Sequence, residues 1–547
     1  MWQELIVITA KTAPCDEGTI RSIGFATPCA ARQKSWVIIA TTLGSAMAYI
    51  DGSVVNVALP AIEKDLATSV TVIQWVVNAY ELCLAALLLI GGAAGDQFGR
   101  RRLFVLGIVI FAAASIWCGL APNATQLILA RGVQGMGAAC LIPCSLAIIG
   151  AFFSEAERGQ AIGTWAGFSA IAAAIGPLLG GWIVDHSVWR VIFLINPLLA
   201  LATIWIVLRH VPESVDAQAV RGLDWRGALL ALAGLGSFVF GLIALPALGW
   251  RDPGVAGSLL IGGVLLVAFV REEARSPAPM MPLELFRSRT FTGVNLLTLL
   301  LYAALGGAFF FFPFDLIQVH GYSATMAGAA FLPFTVVMGM LSRWSGGLLD
   351  RVGARLPLIV GPTIAAVGFG LLALPGPEGA YWATFLLPIT ILGVGMAVSV
   401  APLTATVLNA VPGHRTGVAS GVNNAVASVA SLLAVALFGA IALSEFDRAL
   451  DRNMTSMTTS PEVRRLVENA HGKFVTPPIA AGVAAADRQV AETVIKTSLA
   501  QSIRIAMLVA ALLALGAALC AALTIPRGSG PSISDLTLTT RSRKLPR

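Results

Sequence analysis

The chain predicts an all-α polytopic membrane protein with 14 transmembrane helices, two six-helix bundles with a two-helix hairpin inserted between them. Three observations predict it. Of 547 residues, 57% are apolar and only 12% charged, with a mean hydropathy of +0.82, whereas soluble domains carry about 25% charged residues. The apolar residues come in blocks of about 20, the length that crosses a hydrocarbon core. Finally, Gly92-Ala-Ala-Gly-Asp96-Gln-Phe-Gly99-Arg-Arg-Arg102 returns as Gly346-Gly-Leu-Leu-Asp350-Arg-Val-Gly353-Ala-Arg355. Glycine, aspartate and glycine hold offsets 0, 4 and 7 in both copies, and Arg101 and Arg355 both fall at offset 9. One helix–turn–helix hinge used twice implies two related halves, and in a membrane paired halves support alternating access. The chain reads as a transporter.

Apolar runs between breakers place spans at about 36–58, 72–93, 103–121, 127–149, 161–183, 190–209, 227–247, 254–271, 292–314, 325–342, 356–374, 382–403, 416–442 and 500–524. The hinge copies follow the second and tenth spans. The halves are therefore 36–209 and 290–525, and residues 210–289 hold the linkers and the extra hairpin. Linkers 210–226 and 272–291 are polar, and Pro277, Pro279 and Pro282 break the second. Residues 443–499 read as one long exterior loop. Residues 1–35 and 526–547 read as cytoplasmic tails.

The net charge of +7 reads as topology and not as a nucleic-acid surface. With the hinges placed in the cytoplasm, about 24 Lys and Arg fall on that side and about 10 on the other, 7 of these in the long loop. This is the positive-inside pattern, and it puts both termini in the cytoplasm of a bacterial plasma (inner) membrane. The seven cysteines form no C-x-x-C pair and read as packing residues. The N-terminus lacks a signal-peptide pattern: Leu5–Ala10 is short and Lys11 follows it. No two of His186, His210, His320, His414 and His471 have metal-ligand spacing, so no metal is expected. With no P-loop in the chain, a proton gradient is expected to supply the energy without any cofactor.

Chemistry concentrates in few places. In the hinge, Gly92 and Gly99 permit a tight turn, Asp96 can cap the following helix, and Arg100, Arg101 and Arg102 face the anionic leaflet. A state-dependent latch through Asp96 is the expectation, and the second copy, Gly346, Asp350, Gly353 and Arg355, should repeat it. Arg131 lies inside span 4, where an arginine costs about 2.5–3.5 kcal/mol on insertion scales and seeks a wet cavity or partner. Gln134 stands one turn on, beside Gly135 and Gly137. Span 5 carries Gly167, Gly176, Pro177, Gly180 and Gly181 on spacings that suit a pivot between halves, although an ordinary packing seam would use the same residues. Asp51 and Glu81 are the carboxylates deep in spans. Hydrocarbon favours their neutral forms, which suits proton carriage, and a bound organic cation favours the ionised form. With Glu81, the residues Trp75, Asn78, Gln134, Trp165, Asn295, Tyr302 and Asn423 make up a candidate substrate cavity, and such residues also serve as interhelical packing.

At these motifs the chain resembles the major facilitator superfamily, and within it the fourteen-helix drug:proton antiporter branch. The resemblance covers about residues 36–442 and 500–524. Gly92–Arg102 is similar to the superfamily's signature loop, the Arg131 segment to a span-4 motif linked to proton transfer, and Gly167–Gly181 to a span-5 antiporter motif. Asp51-Gly-Ser-Val-Val-Asn-Val-Ala-Leu-Pro60 resembles the branch's span-1 motif, and Trp189-Arg-Val-Ile-Phe-Leu-Ile-Asn-Pro197 the start of its span 6. The resemblance implies a major facilitator fold and a part for Arg131 in proton transfer, and Asp51, by its depth in span 1, is expected to share in the coupling. Two departures stand out: Gly95 and Gln97 replace the residues more usual in the loop, and Glu81 occupies a position usually apolar. That makes Glu81 the residue expected to set substrate preference and to contribute to coupling.

The leading expectation is proton-driven export of hydrophobic, cationic drugs or toxic compounds from the cytoplasm. Its partners would be membrane lipid and a small-molecule substrate, with a periplasmic adaptor as a further candidate, and the monomer would suffice. Export or import of one metabolite or organic anion is the alternative within transport, though two deep acids against one deep arginine favour cations. A membrane enzyme lacks a histidine cluster, an acidic metal pair or a Ser/Lys dyad in the spans. A sensor lacks an appended signalling domain.

Overall fold

The computed structural model describes residues 31–216, 222–346, 348, 352–376, 380–411, 415–455, 460–474 and 484–526. Fourteen helices long and apolar enough to cross a membrane are present among them. In the first half these are α1 (Ala31–Asp65), α2 (Val70–Phe98), α3 (Arg100–Leu120), α4 (Ala124–Phe152), α5 (Glu155–His186) and α6 (Val191–His210). The hairpin is α7 (Trp225–Leu248) and α8 (Pro253–Glu273). The second half holds α9 (Arg289–Phe314), α10 in two pieces (Ala324–Ala329 and Leu332–Gly346), α11 (Arg355–Leu372), α12 (Leu386–Asn409), α13 (Thr416–Thr455) and α14 (Ala485–Thr524).

Local chemistry starts these helices where the backbone needs a partner. Asn123 accepts the Gln126 N–H at the head of α4, Asp224 the Gly227 N–H at α7, and Ser288 the Phe291 N–H at α9. Asp252 caps α8, where Pro253 loses nothing in the first turn because that N–H has no helical partner. The outer surface is apolar: Leu198, Leu201, Trp205 and Leu208 on α6 and Leu260, Ile261, Val264 and Val267 on α8 are all exposed. Only hydrocarbon solvates such a surface without a cost in free energy.

The described residues of 443–499, expected as a loop, are largely helical. α13 runs on to Thr455, Pro461–Glu468 forms a short helix, and α14 begins at Ala485. The apolar pattern marks only the stretch that lipid solvates, and these helices continue past it by burying Phe446, Leu450, Val494 and Ile495 in the core. Span 12 also starts later than expected, because Tyr381–Thr384 is a separate turn ahead of Leu386.

α1 packs on α4, α5 and α6, and α4 on α2 and α3; in the second half α9 packs on α13 and α14, and α12 on α10 and α11. The halves meet along two seams, α5 against α10 and α2 against α13. Adding eight to a first-half helix number gives its counterpart, so one seam maps onto the other when the halves exchange. α7 lies over the α2–α13 seam, with Leu235, Val239 and Ile243 buried against Leu432 and Ala436 of α13 and against Trp75 and Leu82 of α2.

Most hydrogen bonds we find between the halves lie at the end away from the hinge. Asp185 of α5 accepts the Ala324 and Thr325 N–H groups at 3.0 and 2.7 Å, capping α10. Glu63 accepts the Phe474 N–H at 3.1 Å, and Gly472 accepts the Val70 N–H. One turn further in, Gln74 donates to the Val435 carbonyl at 3.1 Å.

The span-5 glycines divide by height. Gly163 and Gly167 face open space, Gly176 and Gly180 abut Ser53 and Val54 of α1 in the same half, and Gly181 abuts Ala324 of α10. Of the expected pivot residues, Gly167 touches no neighbour and Gly176 and Gly180 pack within their own half. Contact between halves rests on Gly181 and on Pro177, whose carbonyl meets Gly328. Gly181→Ala would drive a methyl into the Ala324 backbone. At a small-to-large cost of roughly 1–3 kcal/mol, it should lower the transport rate about tenfold while expression and membrane insertion, followed by blotting, stay near wild type.

Candidate functional site

Asp51 and Arg131 come from α1 and α4, and the packing of these helices joins them inside the first bundle. Arg131 Nη1 donates to Asp51 Oδ2 at 2.5 Å, with both side chains 1% exposed. Taking two charges out of water is offset only when their remaining valences find partners, and here many of them do. Arg131 Nη1 also reaches Gln134 Oε1 at 2.7 Å, its Nε donates to the Val76 carbonyl at 3.1 Å, and the Tyr80 ring lies 4.3 Å from the guanidinium. Asp51 Oδ1 accepts from Gln134 Nε2 and from Asn196 Nδ2, each at 2.8 Å. Both amides also donate to Ser115 Oγ, at 2.8 and 3.2 Å.

Helical spacing explains part of this cluster. Gln134 is three residues after Arg131 and shares its face, and Tyr80 is four residues after Val76 on α2. Asn196 and Ser115, on α6 and α3, reach Asp51 only through tertiary packing. The sequence reading passed over both. Asn196 stands in the quoted Trp189–Pro197 segment, so a signal existed for it; Ser115 is a lone hydroxyl in an apolar span and offers none.

Beside the pair lies a cleft of about 200 Å³ between the halves. Arg131, Tyr80, Glu81 and Asn56 line it from one side and Tyr302, Phe309 and Ser431 from the other. Among the described residues no side chain hydrogen-bonds Glu81. A carboxylate, two phenol rings and a phenylalanine around one space suit a cation with an aromatic or apolar body.

The expected cavity is therefore corrected. Glu81 and Tyr302 line the cleft, and the other six do not. Gln134 belongs to the Asp51 network. Trp75 packs under the hairpin, 6.4 Å from the Phe240 ring. Trp165 is buried, donates to Ser45 Oγ and meets Tyr49 edge-on. Asn423 donates to Asn295 Oδ1 and Thr298 Oγ1, an interhelical contact within the second half. Asn78 is fully buried and neither polar atom of its amide has a partner. Each spacing was right for an inward face, and spacing cannot say which neighbour that face meets.

At the hinge, Asp96 does not cap α3. It pairs with Arg100, one turn on, at 2.7 Å. The cap is Glu213, from the linker after α6, which is buried and accepts the Arg101 and Arg102 N–H groups at 2.9 and 3.2 Å. Gly99 sits at φ +115° against it, where a Cβ would lie 2.8 Å from the carboxylate, so only glycine fits. Nothing in the sequence pattern marks Glu213, which lies in a non-helical stretch. Arg101 donates to the Val211 carbonyl just past α6, and Arg355 to the Ala522 carbonyl at the end of α14. The offset-9 arginine thus caps the sixth helix of its half in both copies, a favourable place for a cation. Gly353 repeats the positive φ at +74°, Gly346 ends α10, and Asp350 lies outside the described residues.

Residues 41–435 match the Major Facilitator Superfamily. The chain belongs to that superfamily. It is 34% identical over 437 residues to the multidrug resistance protein Stp of Mycobacterium tuberculosis (strain CDC 1551 / Oshkosh), covering 80% of this chain and 81% of that one. It is 35% identical to the puromycin resistance protein pur8 of Streptomyces alboniger, covering 82% and 88%. The tetracenomycin C resistance and export protein of Streptomyces glaucescens is 30% identical, covering 82% and 84%. Among solved structures, a bacterial homologue of the human lysosomal transporter Spinster, inward-facing and unoccupied, matches with a TM-score of 0.65 at 17% identity over 92% of this chain and all of that one. The xylose transporter XylE from E. coli matches at 0.55, with 13% identity, over 92% and 99%. These two likenesses concern the fold. This facilitator is an integral membrane transporter and not an enzyme.

Because Glu213 is buried and takes three backbone donors, from Arg101, Arg102 and Ser214, Glu213→Ala strands these N–H groups. It should destabilise the protein by roughly 2–3 kcal/mol, read as a lower melting temperature in detergent, whereas the exposed Arg102→Ala should change it little.

Proposed function

We propose that this facilitator exports hydrophobic, cationic compounds from the cytoplasm, driven by proton influx, by alternating access. The observation that carries the reading is the buried Asp51–Arg131 pair bordering a cleft that also holds Glu81. Asp51 is one protonation away from releasing an arginine that itself lines the substrate space, and this links proton to substrate. The resistance names of the relatives support a drug-like substrate, and the aromatic walls support an apolar body. We take the hinge end as cytoplasmic, in a bacterial plasma (inner) membrane with both termini inside. The far-end contacts between halves then correspond to an inward-open state ready to load. The proton gradient is the energy source, no cofactor is needed, and the monomer in its lipid suffices, with a periplasmic adaptor as an optional partner. Gradient-dependent transport in everted vesicles, against a panel of dyes and drugs, tests the whole reading. Uptake that ignores the proton gradient would overturn it.

Asp51→Asn should abolish gradient-driven efflux while insertion and substrate exchange persist, since it removes the titrating group at nearly constant volume. Full gradient-driven efflux by this variant would place coupling elsewhere. A cysteine at the exposed Glu468 should react with an impermeant thiol reagent added outside intact cells; reaction only from the inside would reverse the topology.

Glu81→Gln should separate charge classes. A cation paired with a carboxylate in a partly dry cleft gains a few kcal/mol, so efflux of monovalent cationic dyes should weaken about tenfold and that of divalent ones more. Matched neutral dyes should keep most of their efflux. Equal loss in both classes would assign Glu81 a structural or coupling role.

A further inference from the structure

We propose that Asn196 is the side chain that reverses when Asp51 takes up its proton, donating to the carboxylate in one state and accepting from the acid in the other. The inference rests on the reading of Asp51 as the proton carrier.

Asp51 is surrounded by donors. Oδ2 takes Arg131 Nη1, and Oδ1 takes Gln134 Nε2 and Asn196 Nδ2. That arrangement fits a carboxylate, which only accepts. A protonated acid carries one O–H that must find an acceptor, and none faces it here. A buried O–H without an acceptor forfeits the gain of protonation, so proton uptake requires a neighbour to turn.

Three of the four neighbours are fixed. Arg131 has no acceptor to offer. The Ser115 hydroxyl already donates to the Phe111 carbonyl at 2.8 Å while its oxygen receives both amides. Gln134 is locked by its other end, because its Oε1 accepts from Arg131 at 2.7 Å and a reversed amide would aim NH₂ at the guanidinium. Asn196 is different. Both its hydrogen bonds leave from Nδ2, and among the described residues no donor reaches its Oδ1. A half-turn of this amide breaks nothing on the oxygen side.

The next residue prepares the other side. Pro197 lies inside α6 and has no N–H, so the Phe193 carbonyl lacks its i+4 donor. That carbonyl is three residues before Asn196, a separation that side-chain amides bridge, and it can receive the reversed NH₂. In the protonated state, Asp51 Oδ1–H donates to Asn196 Oδ1, Asn196 Nδ2 turns to Phe193, and Ser115 keeps Gln134. The incoming proton stays on Asp51, and no other bond is made or broken covalently. Arg131, relieved of its counter-ion, keeps Gln134, the Val76 carbonyl and the Tyr80 face, and turns its free valence to the cleft.

The test uses purified full-length protein in lipid nanodiscs and a cationic dye, ethidium, in everted vesicles. The pH-difference infrared spectrum should contain an acid C=O band that vanishes in Asp51→Asn. In Asn196→Leu and Asn196→Ala that band should move to higher wavenumber, because the acid loses its acceptor. The pH of half-maximal gradient-driven ethidium efflux should rise by about half to one unit, since a donor to the anion outweighs an acceptor to the acid. Asn196→Ser, whose hydroxyl both donates and accepts, should restore band and profile towards wild type. A band and a pH profile unmoved in Leu and Ala variants would overturn the proposal, as would equal shifts in Ser, Leu and Ala. If instead Asp51→Asn retains the band and gradient-driven efflux, the proton-carrier reading itself fails.

Discussion

An arginine and an aspartate removed from water must satisfy every valence they bring with them, and the interior of the first bundle is arranged around that demand. Five helices supply groups to one ion pair: α1 the acid, α4 the arginine and Gln134, α2 the Val76 carbonyl and the Tyr80 ring, α3 Ser115 and α6 Asn196. Removal of either charge would leave the other buried and uncompensated, so the pair ties five spans into one unit. The same pair is neutral overall, and Glu81 lines the cleft beside it.

Outside that cluster, the two halves meet at defined places. Their seams use close backbone approach at Gly181 and Gly328 and a few hydrogen bonds, most at one end. The hinge works differently, since it joins helices within one half. Glu213 and Arg101 pin the α2–α3 turn to the end of α6, and Arg355 does likewise for α11 and α14. Both hinge copies tie helices of their own half together. The inserted hairpin backs one seam with apolar side chains and keeps lipid from the wall behind the cleft.

Much of this was legible in the residues. Long apolar runs with few charges leave lipid as the only solvent, and a helix as the only structure that satisfies its own backbone there. Hence the number and order of spans, the two halves, the hairpin between them and membership of a transporter fold follow from the chain alone. Asp51, Arg131 and Glu81 were also legible, because a charge in such a run has few reasons to exist.

What lay beyond the sequence is which groups meet. Helical periodicity tells that Asn423 or Trp75 faces inward, but the partner it meets depends on how whole helices cross, and Asn423 met Asn295 while Trp75 met the hairpin. Asp96 had the right chemistry to cap α3, yet Glu213, more than a hundred residues on, occupies that place. Asn196 and Ser115 joined the Asp51–Arg131 network only when α3 and α6 were laid against α1. The sequence by itself determined what each helix must bury, since solvation is a property of the segment. The tertiary structure decided whom each polar group bonds, since hydrogen bonds act over about 3 Å and such proximity belongs to the packed molecule.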